Sequence, residues 1–167
     1  MKSQIESSLA QVASWVQRNW YRGYEPADGN LSWMFALTGG RVFPMRVLQQ
    51  VVLRAPFNIR PLLGISPHGS AIGRGYMAWG YLLMHRLNGD DSLRREAITC
   101  LNWLIANRSP HSGEFCWGDP YEYATRGGRR PLGKPILIWC ALIGQAFIEA
   151  YELLGDERYL QIAESTG

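Results

Sequence analysis

The feature that most limits how this chain can fold is an internal repeat. Leu87 to Ala97 reads L-N-G-D-D-S-L-R-R-E-A and Leu153 to Ala163 reads L-L-G-D-E-R-Y-L-Q-I-A; the two align at one shift, since 155 − 89 and 163 − 97 both give 66. In each copy a long apolar segment ends at a Gly-Asp turn and a second amphipathic segment follows. Glycine beyond a helix C-terminus takes the left-handed conformation that a Cβ disfavours, and aspartate caps the helix that starts next. Each copy is therefore an antiparallel helix hairpin, and repeated hairpins bury their apolar faces by stacking on one another.

The rest of the chain supplies more helices and two long loops. Ile5, Leu9, Val12, Val16 and Trp20 fall on one stripe of a helix spanning about Ser3 to Trp20. Tyr21 to Gly40 is broken by Gly23, Pro26, Gly29 and Gly39-Gly40, with Trp33 and Phe35 placed to anchor it to a core. Pro44 suits the first turn of a second helix that ends before Pro56. Ala55 to Gly75 is a second Pro- and Gly-rich loop, followed by an apolar helix from about Tyr76 to Leu87 that Asn88 and Gly89 stop. Asp90 caps the next helix, with Leu93, Ala97, Leu101 and Leu104 on its apolar face, and it closes near Asn107. A helix from about Ile136 to Leu154, ended by Gly155, leads to a last one capped by Asp156. The expected fold class is all-α, with 1–167 as a single domain of helix hairpins. The last hairpin has reached only Tyr159, Leu160 and Ala163 when the sequence stops at Gly167, so the array is expected to be incomplete.

Composition removes several function classes. A net charge of +3 with scattered basic residues lacks the clustered footprint of a nucleic-acid binder. Three cysteines without a CxxC pair point to a reduced, cytoplasmic protein and give no metal-ligand spacing. The apolar run Ile136 to Ile148 is interrupted by Gln145 and is shorter than the ~20 residues of a membrane span, so no membrane insertion is expected. Gly73-Arg-Gly75 lacks the third glycine and preceding strand of a nucleotide fingerprint, and no cofactor is expected.

The chemistry concentrates in Ser112 to Arg130, S-G-E-F-C-W-G-D-P-Y-E-Y-A-T-R-G-G-R-R, where Glu114, Asp119 and Glu122 stand among Phe115, Trp117, Tyr121 and Tyr123. Sugars present apolar faces to aromatic rings and a perimeter of hydroxyls to Asp, Glu and Arg. Asp119 and Glu122 are the candidate catalytic carboxylates. Trp117, Tyr121, Tyr123 and Arg126 are the candidate substrate contacts, joined by Arg60 and His68 from the preceding leading loop. Two plainer roles stand beside these: Trp117 as a core plug, and Arg126 as the ion-pair partner of Glu122 or Asp119.

Four segments carry a resemblance: Arg60-Pro-Leu-Leu-Gly-Ile65, Trp103-Leu-Ile-Ala-Asn-Arg-Ser109, Cys116-Trp-Gly-Asp-Pro-Tyr-Glu-Tyr-Ala-Thr-Arg126 and Ala150 to Ala163. Together they resemble the α/α-toroid proteins of bacterial exopolysaccharide biosynthesis clusters, related in architecture to six-hairpin glycosidases, sugar 2-epimerases and terpenoid cyclases. The pattern departs where Asp119 replaces a tyrosine, Glu122 an aspartate, Tyr123 a tryptophan and Ala124 a glutamine. The resemblance implies part of an (α/α)6 toroid that handles a carbohydrate substrate or polysaccharide precursor beside other polysaccharide biosynthesis proteins. It implies acid/base chemistry on a glycan as a hydrolase, lyase or epimerase, or else a non-catalytic glycan-binding or scaffold module. A terpenoid cyclase is the remote alternative, because the adjacent acids Asp90-Asp91 sit at a helix cap.

Overall fold

The computed structural model describes residues 2–166. Six α-helices dominate the described residues: α1 (Lys2–Arg18), α2 (Val42–Arg54), α3 (Ala71–Asn88), α4 (Asp91–Ala106), α5 (Leu137–Leu154) and α6 (Glu157–Ser165). The all-α class holds. Four short strands were not foreseen: β1 (Arg22–Gly23) pairs antiparallel with β2 (His68–Gly69), and β3 (Tyr123–Thr125) with β4 (Gly128–Arg130). Single-turn ribbons of this size carry too few residues for an alternating pattern to show.

The repeat is realised turn for turn. Gly89 and Gly155 both adopt left-handed φ, +71° and +69°, and Asp90 and Asp156 accept from the backbone N–H of Ser92 and Arg158, two residues on. Hairpins α3/α4 and α5/α6 stack through α3 against α5. Arg86 reaches Glu152, its counterpart 66 residues along, at 3.4 Å, and Glu149 at 2.7 Å. The core between the hairpins contains Ala78, Leu82, Leu101, Leu104, Ile143, Ala146 and Phe147, all without solvent exposure.

Two helix boundaries differ from the sequence reading. α3 starts five residues early, at Ala71, with the Ser70 hydroxyl accepting from the Gly73 N–H at 3.3 Å. Gly73 and Gly75 look like loop residues, yet Gly75 is a packing glycine, since a Cβ there would lie 2.7 Å from Ile143 Cγ1 across the α3–α5 contact. α1 ends at Arg18, and Trp20 and Tyr21 follow with φ of +53° and +59°. Its expected stripe is mostly unpacked: Val16 is buried, but Ile5, Leu9 and Val12 are exposed. Trp33 is exposed too, so it does not anchor its loop.

The helix expected from about Ile136 to Leu154 forms as α5, and by length and composition alone its 18 residues, with a mean hydropathy of 1.5, are long and apolar enough to cross a membrane, where the run to Ile148 was not. The helix packs on both α3 and α6 and buries Glu149 with its apolar face.

Candidate functional site

The loop between α4 and α5 is fastened before it reaches any chemistry. Trp117 is fully buried, stacked on Phe147 with centroids 5.8 Å apart, and its indole N–H donates to the Leu104 carbonyl at 2.9 Å. The candidate sugar platform is thus the core plug, with no face open to a ligand. The Trp117 carbonyl accepts from Ile136 N–H, and the Asp119 carbonyl from Gly133 N–H, which closes the loop back onto the start of α5. Ser109 adds a second clasp, its N–H to the Cys116 carbonyl at 2.7 Å and its hydroxyl to Gly133 at 2.6 Å.

Beyond these clasps the chain opens into a cleft of about 590 Å³. Asp119, Tyr121, Tyr123 and Arg130 form one wall, Tyr24 and Glu25 another, and Ser70, Tyr76 and Trp139 at the starts of α3 and α5 complete it. Three of the sequence candidates therefore converge: Asp119, Tyr121 and Tyr123. His68 joins from behind, its ring edge-on to Tyr121 at 6.0 Å between centroids and its Nε2 4.0 Å from Glu25 Oε2. That separation is an ion-pair distance and too long for a hydrogen bond.

Other candidates are occupied elsewhere. Arg126 lies exposed at the tip of the β3–β4 turn and makes no ion pair among the described residues. The expected pairings fall to its neighbours, Arg130 with Asp119 and Arg129 with Glu122, because β4 runs back alongside β3 and carries residues 129 and 130 past the acids. Glu122 does not line the cleft: its side chain is held by Arg129 and its carbonyl by Asn30 Nδ2 at 2.8 Å. Arg60 is a strut. It bonds fully buried Asp28 at 2.8 and 3.0 Å and the Glu25 carbonyl at 2.9 Å, which fixes the backbone that carries Glu25.

Glu25 is the residue the sequence reading missed. The available signal was an acid between Tyr24 and Pro26 in a loop stiffened by proline and closed by a second acid, Asp28. Its environment differs from that of Asp119. Burial works to raise Glu25, but the polar groups around it, His68 foremost and then Ser70 and Tyr121, hold it below the ordinary glutamate value. Asp119 is pushed upward by burial, which outweighs the opposing pull of Arg130, and the negative charge of Glu25 adds to the rise. The Tyr121 hydroxyl is driven up by burial and by the carboxylates around it, so it remains a donor. His68 is raised chiefly by Glu25.

Asp119 and Glu25 thus stand in one cleft with shifts of opposite direction, the kind of difference in environment by which acid–base sites give two carboxyls separate roles. Arg130, stacked 4.8 Å over the Tyr123 ring, keeps positive charge at the same wall. Among the described residues no three His, Cys, Asp or Glu side chains group as metal ligands would.

No protein-family model matches the chain, and no curated protein or solved structure matches it significantly.

Proposed function

We propose that the cleft binds a carbohydrate and acts on it by acid–base catalysis, with Asp119 as the proton donor and Glu25 as the ionised partner. The observation that carries this reading is the pairing of oppositely shifted carboxyls within a single aromatic-lined cleft. Tyr24, Tyr76, Tyr123 and Trp139 offer the ring faces a sugar requires, and Arg130 and the Tyr121 hydroxyl offer donors to its oxygens. Glycoside chemistry uses two carboxyls in unlike protonation states across the reacting bond. The stacked hairpins and the leading-loop resemblance support an (α/α)6 toroid as the wider architecture, and polysaccharide biosynthesis as the setting.

The test is turnover of a panel of oligosaccharides, followed by release of reducing ends and by change at the anomeric or C2 proton. Asp119→Asn and Glu25→Gln should each lower turnover by about a hundredfold or more while binding persists. Activity unchanged in both variants sinks the acid–base reading.

One observation favours a second reading, a glycan-binding module without turnover: Asp119 is already engaged by Arg130. Under that reading Asp119→Asn weakens binding only modestly, and no oligosaccharide is consumed by the unaltered chain.

A further inference from the structure

Arg74 sits near the N-terminal end of α3, 7% exposed, and no carboxylate among the described residues lies within ion-pair distance of it. Its hydrogen bonds are long and few, 3.4 Å to the Trp20 carbonyl and 3.8 Å to the Cys100 sulfur, and its Nε has no partner. The guanidinium is held between two rings, 4.1 Å from the Tyr21 centroid and 5.1 Å from that of Trp103. Cation–π contacts offset only part of what a buried charge loses when it leaves water. Glu96, the acid nearby, is taken by the Tyr21 hydroxyl.

Arg74 lines a second cleft, about 690 Å³, together with Trp20, Arg22, Pro67, His68, Gly69 and Trp103. Its wall contains two arginines and a histidine and no carboxylate. The β1–β2 pair sets Arg22 opposite Gly69, and the absence of a Cβ at Gly69 lets the Trp103 ring pack against the strand; an added Cβ would lie 2.7 Å from its Cζ2. Trp20, in its left-handed conformation, leaves its side chain 80% exposed at the rim. A smaller adjoining hollow carries the lining on from Arg22, His68 and Arg74 to Tyr24, Glu25, Ser70 and Gly73, the last four of which also line the acid cleft.

We propose that Arg74 and Arg22 form an oxyanion subsite between Trp20 and Trp103, which takes the carboxylate or phosphate of a sugar-sized ring; His68, turned to Glu25 and the Ser66 carbonyl, borders it. A guanidinium fork binds such a group through paired charge-assisted hydrogen bonds, and indole faces cover the apolar side of the ring that bears it. Two acids border these cations: Glu96 accepts from the Tyr21 hydroxyl, and Glu25 faces His68 at 4.0 Å. The subsite does not depend on acid–base catalysis in the neighbouring cleft.

Calorimetric titration of the full chain with glucose 1-phosphate, glucuronate, inorganic phosphate and glucose tests it. At least one charged sugar should bind about tenfold or more tightly than glucose, with an affinity that falls as salt rises. Preference for glucose 1-phosphate assigns the oxyanion as phosphate, and preference for glucuronate assigns it as carboxylate. Arg74→Met should abolish the preference. Because Arg74 is buried and its loss can unfold the chain, the exposed Arg22→Ala is the second variant and should weaken the charged sugar about fivefold. Gly69→Ala, which displaces the Trp103 ring, should weaken the sugars while sparing inorganic phosphate. The proposal is overturned if glucose binds as tightly as both charged sugars, if no oxyanion binds, or if Arg22→Ala leaves the affinities unchanged. Failure here with turnover still abolished by Asp119→Asn removes the subsite alone; the reverse pattern removes the acid–base reading alone.

Discussion

At Gly118 the backbone passes so close to Lys134 that an added Cβ would lie 2.0 Å from its carbonyl oxygen. Nothing at that contact is a flexible side-chain end, so the whole clasp between the loop and α5 must shift to admit a methyl group. Gly118→Ala should destabilise the chain by about 3 kcal/mol, the upper end of over-packing costs, as measured by denaturant unfolding. Trp117→Ala, which empties a fully buried indole site and removes the donor to Leu104, should cost about 3–5 kcal/mol. A ligand of the acid cleft should bind Trp117→Phe as it binds the unaltered chain, because Trp117 presents no surface there; a tenfold loss in a folded Trp117→Phe would return the ring to the site. The Cys-Trp-Gly element was legible in the sequence as special. Its meaning was not, since a buried tryptophan beside an obligatory glycine and a solvent-facing sugar platform are written in the same letters.

At the scale of elements, the Gly-Asp turns were legible because both of their requirements are local: a left-handed residue and a side-chain acceptor two positions before the first free N–H. Asp156→Ala should cost about 1 kcal/mol, and Gly155→Ala a similar amount, read from thermal or denaturant melting. The effect belongs to α6 more than to α4, because a helix of 9 residues has few other interactions to hold its first turn. The boundaries at Ala71 and Arg18 were hidden for the opposite reason. Gly73 and Gly75 resemble loop residues until Ile143 arrives from α5, and the stripe on α1 looks like a core face until its neighbours prove to contact little beyond Val16. Convergence of Asp119 with Glu25, nearly a hundred residues earlier, is likewise a product of tertiary packing. It depends on the Arg60–Asp28 strut and on the Asn30–Glu122 bond, both of long sequence separation and neither recorded in any local pattern.

Over the whole molecule, the Glu25–His68 contact ties the 21–40 segment to the chain leading into α3, so its protonation governs a tertiary joint. Glu25 titrates lower in the folded chain than its ordinary value of 4.5; it therefore adds stability above that value, and the gain is lost as pH falls through the lowered folded value. His68 titrates higher than its ordinary 6.5; its contribution is fully present below that value and is lost as pH rises through the raised folded value. Asp119 has the opposite sign from Glu25. Its raised value means that ionisation opposes folding, a penalty relieved as pH falls through the folded value toward 3.8. The Glu25–His68 gain is thus complete only between about 4.5 and 6.5, where one partner is ionised and the other protonated. The melting temperature should fall from the upper end of that window toward alkaline pH. His68→Gln removes the titrating partner, so its melting temperature should be lower than that of the unaltered chain near pH 6 and should change less between there and pH 9. Parallel melting curves for the two chains across that range would mean that the joint is held by the β1–β2 backbone pairing and not by charge.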